Sequence, residues 1–180
     1  CRLAIPPGKT SRTIRLHVPG PHVEVRDRVL GENRILTADF GNDFVIQRAD
    51  DVAAYHLACV VDDAALGITH IVRGADLLTS TAAQQSLIQG LGLPEILYAH
   101  IPIVVDAARI KLSKRAHATP TNQFAGATVL SEALHALGMA PAPALQTDID
   151  ELLAWAIGAW DMAGVATDTI LAPPHFGGAG

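Results

Sequence analysis

Polar and apolar residues alternate at period two along 11-SRTIRLHV-18, and Pro19-Gly20-Pro21 closes the run. The alternation resumes in 22-HVEVRD-27, with Val23 and Val25 on one face. These two segments predict a β-hairpin, or two edge strands, joined by the Pro/Gly turn. A third strand is predicted over 44-FVIQR-48, after the turn-like 39-DFGND-43. The first fifty residues therefore read as β-rich.

Beyond residue 52 the period changes. The stretch 55-YHLACVVDDAALG-67 predicts a buried strand that turns helical near Val60 and stops at Gly67. A β-branched strand over 68-ITHIVRGAD-76 halts at Gly74. Ser80 can cap a helix that carries Leu87, Ile88 and Leu91 and stops at Gly92. Another apolar strand, 98-YAHIPIVV-105, runs into a basic loop. Two more helices are predicted, over 129-VLSEALHAL-137 and over 148-DIDELLAWAIGAWDMAG-164 behind a Thr147 cap, linked by 140-APAPAL-145. The tail 173-PPHFGGAG-180 carries no periodic pattern. Nearly continuous apolar strands alternating with helices predict an α/β fold with a parallel sheet covered on both faces. Three regions follow from this: a β-rich segment over 1–50, an α/β core over 51–120, and a helical region with a flexible tail over 121–180.

Composition narrows the class. The chain has 180 residues, 49% hydrophobic and 17% charged, which excludes intrinsic disorder and suffices for a proper core. No apolar run approaches the roughly 18 residues that a bilayer span needs, and 151-ELLAWAIGAWDM-162 is closed by charges at both ends. Two cysteines, Cys1 and Cys59, are too few for a disulfide framework, so a cytoplasmic setting is expected. The first residue is Cys rather than Met, so a longer parent chain is expected.

The formal net charge of −5 is unevenly spread: residues 1–50 balance at +2 and residues 51–180 at −7. Four of the five later cations, Arg109, Lys111, Lys114 and Arg115, fall within seven residues. A cationic knot in an acidic region suits a concentrated anion such as a phosphate, or is a solvated loop.

Pro7-Gly8-Lys9-Thr10 imitates the end of a phosphate-binding loop, but position 3 is Leu where that motif needs Gly, and a strand pattern follows where a helix should open. The eight histidines show no metal-ligand spacing and read as surface or satisfied core residues. Cys59 reads as a small buried hydrophobe. Arg73 is more informative because it ends an apolar strand, and open α/β sheets bind ligands outside the carboxyl ends of their strands. It either clamps a carboxylate or pairs with Asp62, Asp63 or Asp76. Tyr55 could offer a hydroxyl to the same crevice, or could be a core tyrosine. In 109-RIKLSKRAH-117, Lys111 and Lys114 are mobile ammonium groups of the kind that meet charge developing on a departing pyrophosphate.

Together, 44-FVIQRAD-50, 55-YHLACVVDDAALGITHIVRGADLL-78, 91-LGLP-94 and 111-KLSKRAHA-118 resemble the class I glutamyl-tRNA synthetases, most closely the short glutamyl-Q tRNA(Asp) synthetase branch. Lys111-Leu112-Ser113-Lys114-Arg115 is similar to the KMSKS loop, with Leu for Met and Arg for the last Ser. The resemblance covers residues 1 to about 165. It implies the C-terminal half of a Rossmann-type catalytic domain with a β-rich insertion and C-terminal helices. Tyr55 and Arg73 would bind L-glutamate, and Lys114 would be catalytic, with the 111–115 loop closing over ATP. Cys1 would be the last ligand of a structural Zn2+ site whose other ligands precede it.

The implied partners are L-glutamate, ATP and tRNA(Asp) bearing queuosine, with no membrane and a monomeric state. The implied reaction activates glutamate with ATP and transfers it to the queuosine base. The HIGH motif of the family should precede residue 1, so the isolated chain is expected to be inactive. The Pro/Gly tail after the helix holding Trp155 and Trp160 resembles the short branch, which lacks an anticodon-binding domain. Two rivals are the catalytic core of a glutamyl-tRNA synthetase and a non-catalytic glutamate- or tRNA-binding module.

Overall fold

The computed structural model describes residues 8, 13–113, 119–140 and 148–173. They fall into two compact units, residues 1–72 with 77–99 and residues 73–76 with 100–180.

In the first unit, β1 (Ile14–His17) pairs antiparallel with β4 (Asp43–Gln47), and β2 (His22–Asp27) pairs antiparallel with β3 (Gly31–Leu36). The hairpin expected between the first two strands does not form. The Pro19-Gly20-Pro21 bend sends the chain from one pair to the other, since neither proline has an N–H for a ladder. The bend is held instead by Thr37, whose N–H donates to the Pro21 carbonyl at 3.0 Å and whose hydroxyl donates to the Gly20 carbonyl at 3.1 Å. The β2–β3 turn is built by Asp27, whose carboxylate accepts from the N–H groups of Val29 and Leu30 at 2.9 and 2.8 Å.

After β4 the chain doubles back through a turn in which Arg48 N–H donates to the Val52 carbonyl and Ala54 N–H to the Ile46 carbonyl, both at 2.8 Å. That return launches α1 (Tyr55–Ala65). The strand expected at Tyr55 is helical from its first residue, because Leu57 and Val60 meet the core at helical spacing while Val61 faces out. Helix α2 (Leu78–Leu91) begins two residues before Ser80, behind a 3-10 turn over Ala75–Leu77, and stops at Gly92 in the left-handed conformation. Thr81, Ala82, Ala83, Gln84, Leu87 and Ile88 form its buried side, whereas Leu91 is exposed. The core joins Val18, Phe44, Val60, Ala83, Leu87, Ile88, Ile96 and Tyr98.

The main sheet has strand order β3-β2-β6-β5, with β5 at His70–Gly74 and β6 at Leu97–Ile101. It is mixed rather than all parallel. The short β2–β3 connection forces those strands antiparallel, while β2 meets the distant β6 in parallel at Asp27 and Tyr98. The long apolar strand expected over 98–105 is interrupted at Pro102, and its second part becomes β7 (Val104–Val105).

In the second unit β7 pairs in parallel with β8 (Ile170–Leu171), a short strand that no sequence pattern announces. Helices α3 (Gly126–Ala136) and α4 (Ile149–Ala159) pack through Leu134, Met139, Leu152 and Ala156, with Leu130 and Trp155 beside them. The cap of α4 is Asp148, whose carboxylate accepts from Asp150 and Glu151 N–H at 2.8 and 3.1 Å. Thr147 and the Pro-rich 141–147 link lie outside the described residues, as does 174–180.

Gly138 ends α3 with φ +86°, and a Cβ there would lie 2.0 Å from the carbonyl oxygen of Gly164. Gly138→Ala is therefore expected to destabilise the protein by at least about 2 kcal/mol, from left-handed strain and a backbone clash. Gly158→Ala, at a helical site with open space around it, is expected to be neutral or to stabilise by up to about 1 kcal/mol. Urea unfolding of the two variants checks the contrast.

Candidate functional site

Arg73 lies near the end of β5, half-buried, and its Nε–H donates to His100 Nε2 at 3.3 Å. His100, on the neighbouring strand β6, is completely buried. The strand-end placement expected for Arg73 is what the structure has. Asp62 and Asp63 sit in the other unit, while Asp76 turns to a different cation, Lys111, through a salt bridge with Nζ. Room for that carboxylate depends on Gly74, because a Cβ there would lie 2.5 Å from Asp76 Oδ1.

The Asp76–Lys111 pair is half-exposed, and such pairs contribute about 0–1 kcal/mol. Its consequence is positional: it ties the start of the lysine loop to the segment that follows Arg73. The root of that loop is pinned by backbone as well. Asp106 N–H donates to the Ile110 carbonyl at 2.9 Å, and Ile110 N–H to the Asp106 carboxylate at 2.8 Å. Arg109 takes the left-handed conformation (φ +65°) that closes this turn. Lys111 then bridges back to Val105, and Leu112 N–H donates to the Val104 carbonyl at 3.0 Å. Ser113 is the last residue described before the loop continues, and Lys114 and Arg115 lie outside the described residues.

Tyr55 belongs to the first unit. It is the first residue of α1, 60% exposed, with its ring edge-on to His56 at 5.3 Å. It is not a core tyrosine, and its position follows from the return turn at Arg48–Val52. Of the phosphate-loop imitation only Gly8 is described; Pro7, Lys9 and Thr10 lie outside the described residues.

Cys1 lies outside the described residues, and Cys59 is a free, half-buried thiol within α1. Among the described residues no group of three or more His, Cys, Asp or Glu could hold a metal ion. The described residues do not make up the zinc site implied for Cys1. No described helix is long and apolar enough to cross a membrane.

A cleft of about 580 Å³ opens in the second unit beside Val104, Leu112, Ser113, Val129, Ala133 and Ile170. Among the described residues its lining is overwhelmingly apolar and holds no cation for a carboxylate or a triphosphate. The cluster of Arg73 with His100 and Asp76 with Lys111 is the better candidate, because anion chemistry follows convergent donors rather than volume. Sequence reasoning missed His100 and the particular partner of Lys111. The available signal was a histidine amid the apolar residues of 97-LYAHI-101, a position that a buried polar side chain holds only with a partner.

The family model for the catalytic domain of class I tRNA synthetases (E and Q) matches residues 8–144. The chain belongs to this family. Within it, the glutamyl-Q tRNA(Asp) synthetase of Aromatoleum aromaticum is 42% identical over 166 residues, which are 92% of this chain and 52% of that protein. The protein of the same name from Pseudomonas aeruginosa is 46% identical over 149 residues, 82% of this chain and 51% of its own. The chain thus spans about half the length of the curated relatives it matches. Two solved structures share the fold. A glutamate tRNA ligase from Elizabethkingia meningosepticum, in complex with its amino acid, has a TM-score of 0.62 at 23% identity, over 87% of this chain and 35% of that one. The glutamate-tRNA synthetase of Elizabethkingia anophelis has a TM-score of 0.64 at 24% identity, over 91% and 37%. The α/β class I synthetase fold read from the sequence is therefore this chain's fold, with the sheet mixed.

Proposed function

We propose that this chain is the strand-end and lysine-loop part of an enzyme that activates L-glutamate with ATP and glutamylates the queuosine base of tRNA(Asp). The observation that carries the reading is the linkage of two cationic elements. Arg73 at a strand end and the Lys111–Arg115 loop are joined through the Asp76–Lys111 salt bridge, in a chain whose relatives bear the glutamyl-Q tRNA(Asp) synthetase name.

In this reading the α-carboxylate of glutamate attacks the α-phosphorus of ATP, and the bond to pyrophosphate breaks. Lys114, with Lys111 at the loop root, meets the negative charge that gathers on the departing pyrophosphate. A hydroxyl of the modified base then attacks the activated carbonyl, AMP leaves, and the hydroxyl proton is lost. The α-carboxylate is consumed in the first step, so the carboxylate suited to a permanent Arg73 pair is the side-chain one. Tyr55 contributes a hydroxyl to the amino acid. Residues 51–120 form the second half of the Rossmann-type domain, and the protein works in the cytoplasm with its tRNA.

Transfer of labelled glutamate by the full-length protein separates this reading from acylation of a tRNA 3′ end. The label is expected on tRNA(Asp) that contains queuosine and absent from the same tRNA lacking it. Equal labelling of both, or labelling of a glutamate-accepting tRNA, would overturn the reading.

A further inference from the structure

Lys111 is held at both ends. Its backbone bridges to Val105, and the next residue, Leu112, donates its N–H to the Val104 carbonyl at 3.0 Å. Its ammonium donates to Oδ2 of Asp76, which stands in the 3-10 turn Ala75–Leu77 of the same compact unit. An ammonium has three N–H donors. Asp76 takes one of them, and two remain on a side chain that is half-exposed. Gly74 keeps the seat of the carboxylate open, since a Cβ there would lie 2.5 Å from Asp76 Oδ1. Unpaired, a carboxylate at this place would repel an incoming polyphosphate. Paired, it fixes the direction of a cation.

We propose that Asp76 is a positioning residue that aims the Lys111 ammonium at the phosphates of ATP. Lysine is a compact charge on a flexible four-carbon stem, and ordering that stem costs free energy when it meets a ligand. Asp76 orders it beforehand, and the two remaining donors meet phosphate oxygens. This rests on the reading of the lysine loop as the ATP side of the site, and the test separates the two. Because the carboxylate acts through Lys111, its removal matters only while that lysine is present, and it is felt by ATP rather than by glutamate.

Glutamate-dependent ATP–pyrophosphate exchange is measured for the full-length protein and for Asp76→Asn, Asp76→Ala, Lys111→Ala and the Asp76→Ala/Lys111→Ala double variant. Asparagine keeps an acceptor oxygen at the same reach, whereas alanine keeps none. Lys111→Ala is expected to lower kcat/KM for ATP about tenfold or more, and Asp76→Ala about five- to tenfold. Asp76→Asn should stay within about threefold of the parent, and the double variant should be no worse than Lys111→Ala alone. The KM for glutamate should move less than about twofold throughout. Tm should shift by less than about 4 °C, since a half-exposed pair contributes little to stability. Should the alanine variant fail to fold, Asp76→Ser takes its place. Its hydroxyl stops short of the ammonium, and the same loss is expected.

A gain in kcat/KM for ATP in Asp76→Ala would mark the carboxylate as a competitor of the phosphates and overturn the positioning role. Equal behaviour of the Asn and Ala variants, additive losses in the double variant, or a glutamate KM that rises in parallel would overturn it too. No exchange by the parent protein overturns the proposed function itself. Exchange by the parent with unchanged kinetics in Asp76→Ala or Lys111→Ala overturns only the proposal for Asp76.

Discussion

Replacing Lys114 by alanine in the full-length protein is expected to lower the rate of glutamate-dependent ATP–pyrophosphate exchange by about 10²–10³-fold, the usual cost of deleting one donor aimed at transition-state charge. The loss should fall on kcat, because pyrophosphate charge develops as the phosphorus–oxygen bond breaks and is absent from bound ATP in the same form. Thermal stability should be unchanged within about 0.5 kcal/mol, since a lysine on a basic loop contributes little packing. The backbone around the loop root explains why one side chain can matter this much. Asp106, Ile110, Lys111 and Leu112 are fixed by backbone bonds and by the Asp76 salt bridge, so the chain leaves Ser113 from a defined platform. Lys114→Arg keeps the charge but exchanges a compact ammonium for a planar fork and is expected to recover only part of the rate. An alanine variant with parental kcat would remove Lys114 from the mechanism.

Arg73→Ala is expected to raise the KM for glutamate about 10- to 100-fold, because a charge-assisted pair to a carboxylate contributes about 1.5–3 kcal/mol. The same change should weaken discrimination against glutamine, whose neutral amide gains little from the guanidinium. The KM for ATP should stay near its parental value. Steady-state exchange kinetics with each amino acid check both statements. Arg73→Lys should not restore the parental KM, since an ammonium lacks the planar fork that pairs two N–H groups with a carboxylate. A glutamate KM untouched by Arg73→Ala would place the amino acid elsewhere.

Much of this was legible in the residues themselves. The strand ending at Gly74 and the helix stop at Gly92 follow from local patterns, and the structure has both. Partner choice was not legible. Residues 14–17 and 22–27 both alternate correctly, yet their partners are β4 and β3, because alternation marks which face is buried and says nothing of which strand lies alongside. Strand β3 escaped notice because its best-covered residues, Asn33 and Ile35, are only half-buried and give a weak period-two signal. The stretch from Tyr55 misled through its apolar start: Leu57 and Val60 suit a buried strand or a helix, and only the return turn through Ala54 makes the helix. The candidate site divides in the same way. Arg73 and the lysine loop are sequence features, whereas His100 and the Asp76–Lys111 link exist only once β5 and β6 are neighbours and the loop root is folded.

In the proposed function this chain's cationic cluster serves activation of glutamate by ATP, ahead of and independent of any tRNA. Glutamate-dependent ATP–pyrophosphate exchange by the full-length protein, with tRNA absent, tests it most directly. Exchange is expected with glutamate and ATP alone. Exchange that appears only when tRNA is added, or no exchange under either condition, would contradict it.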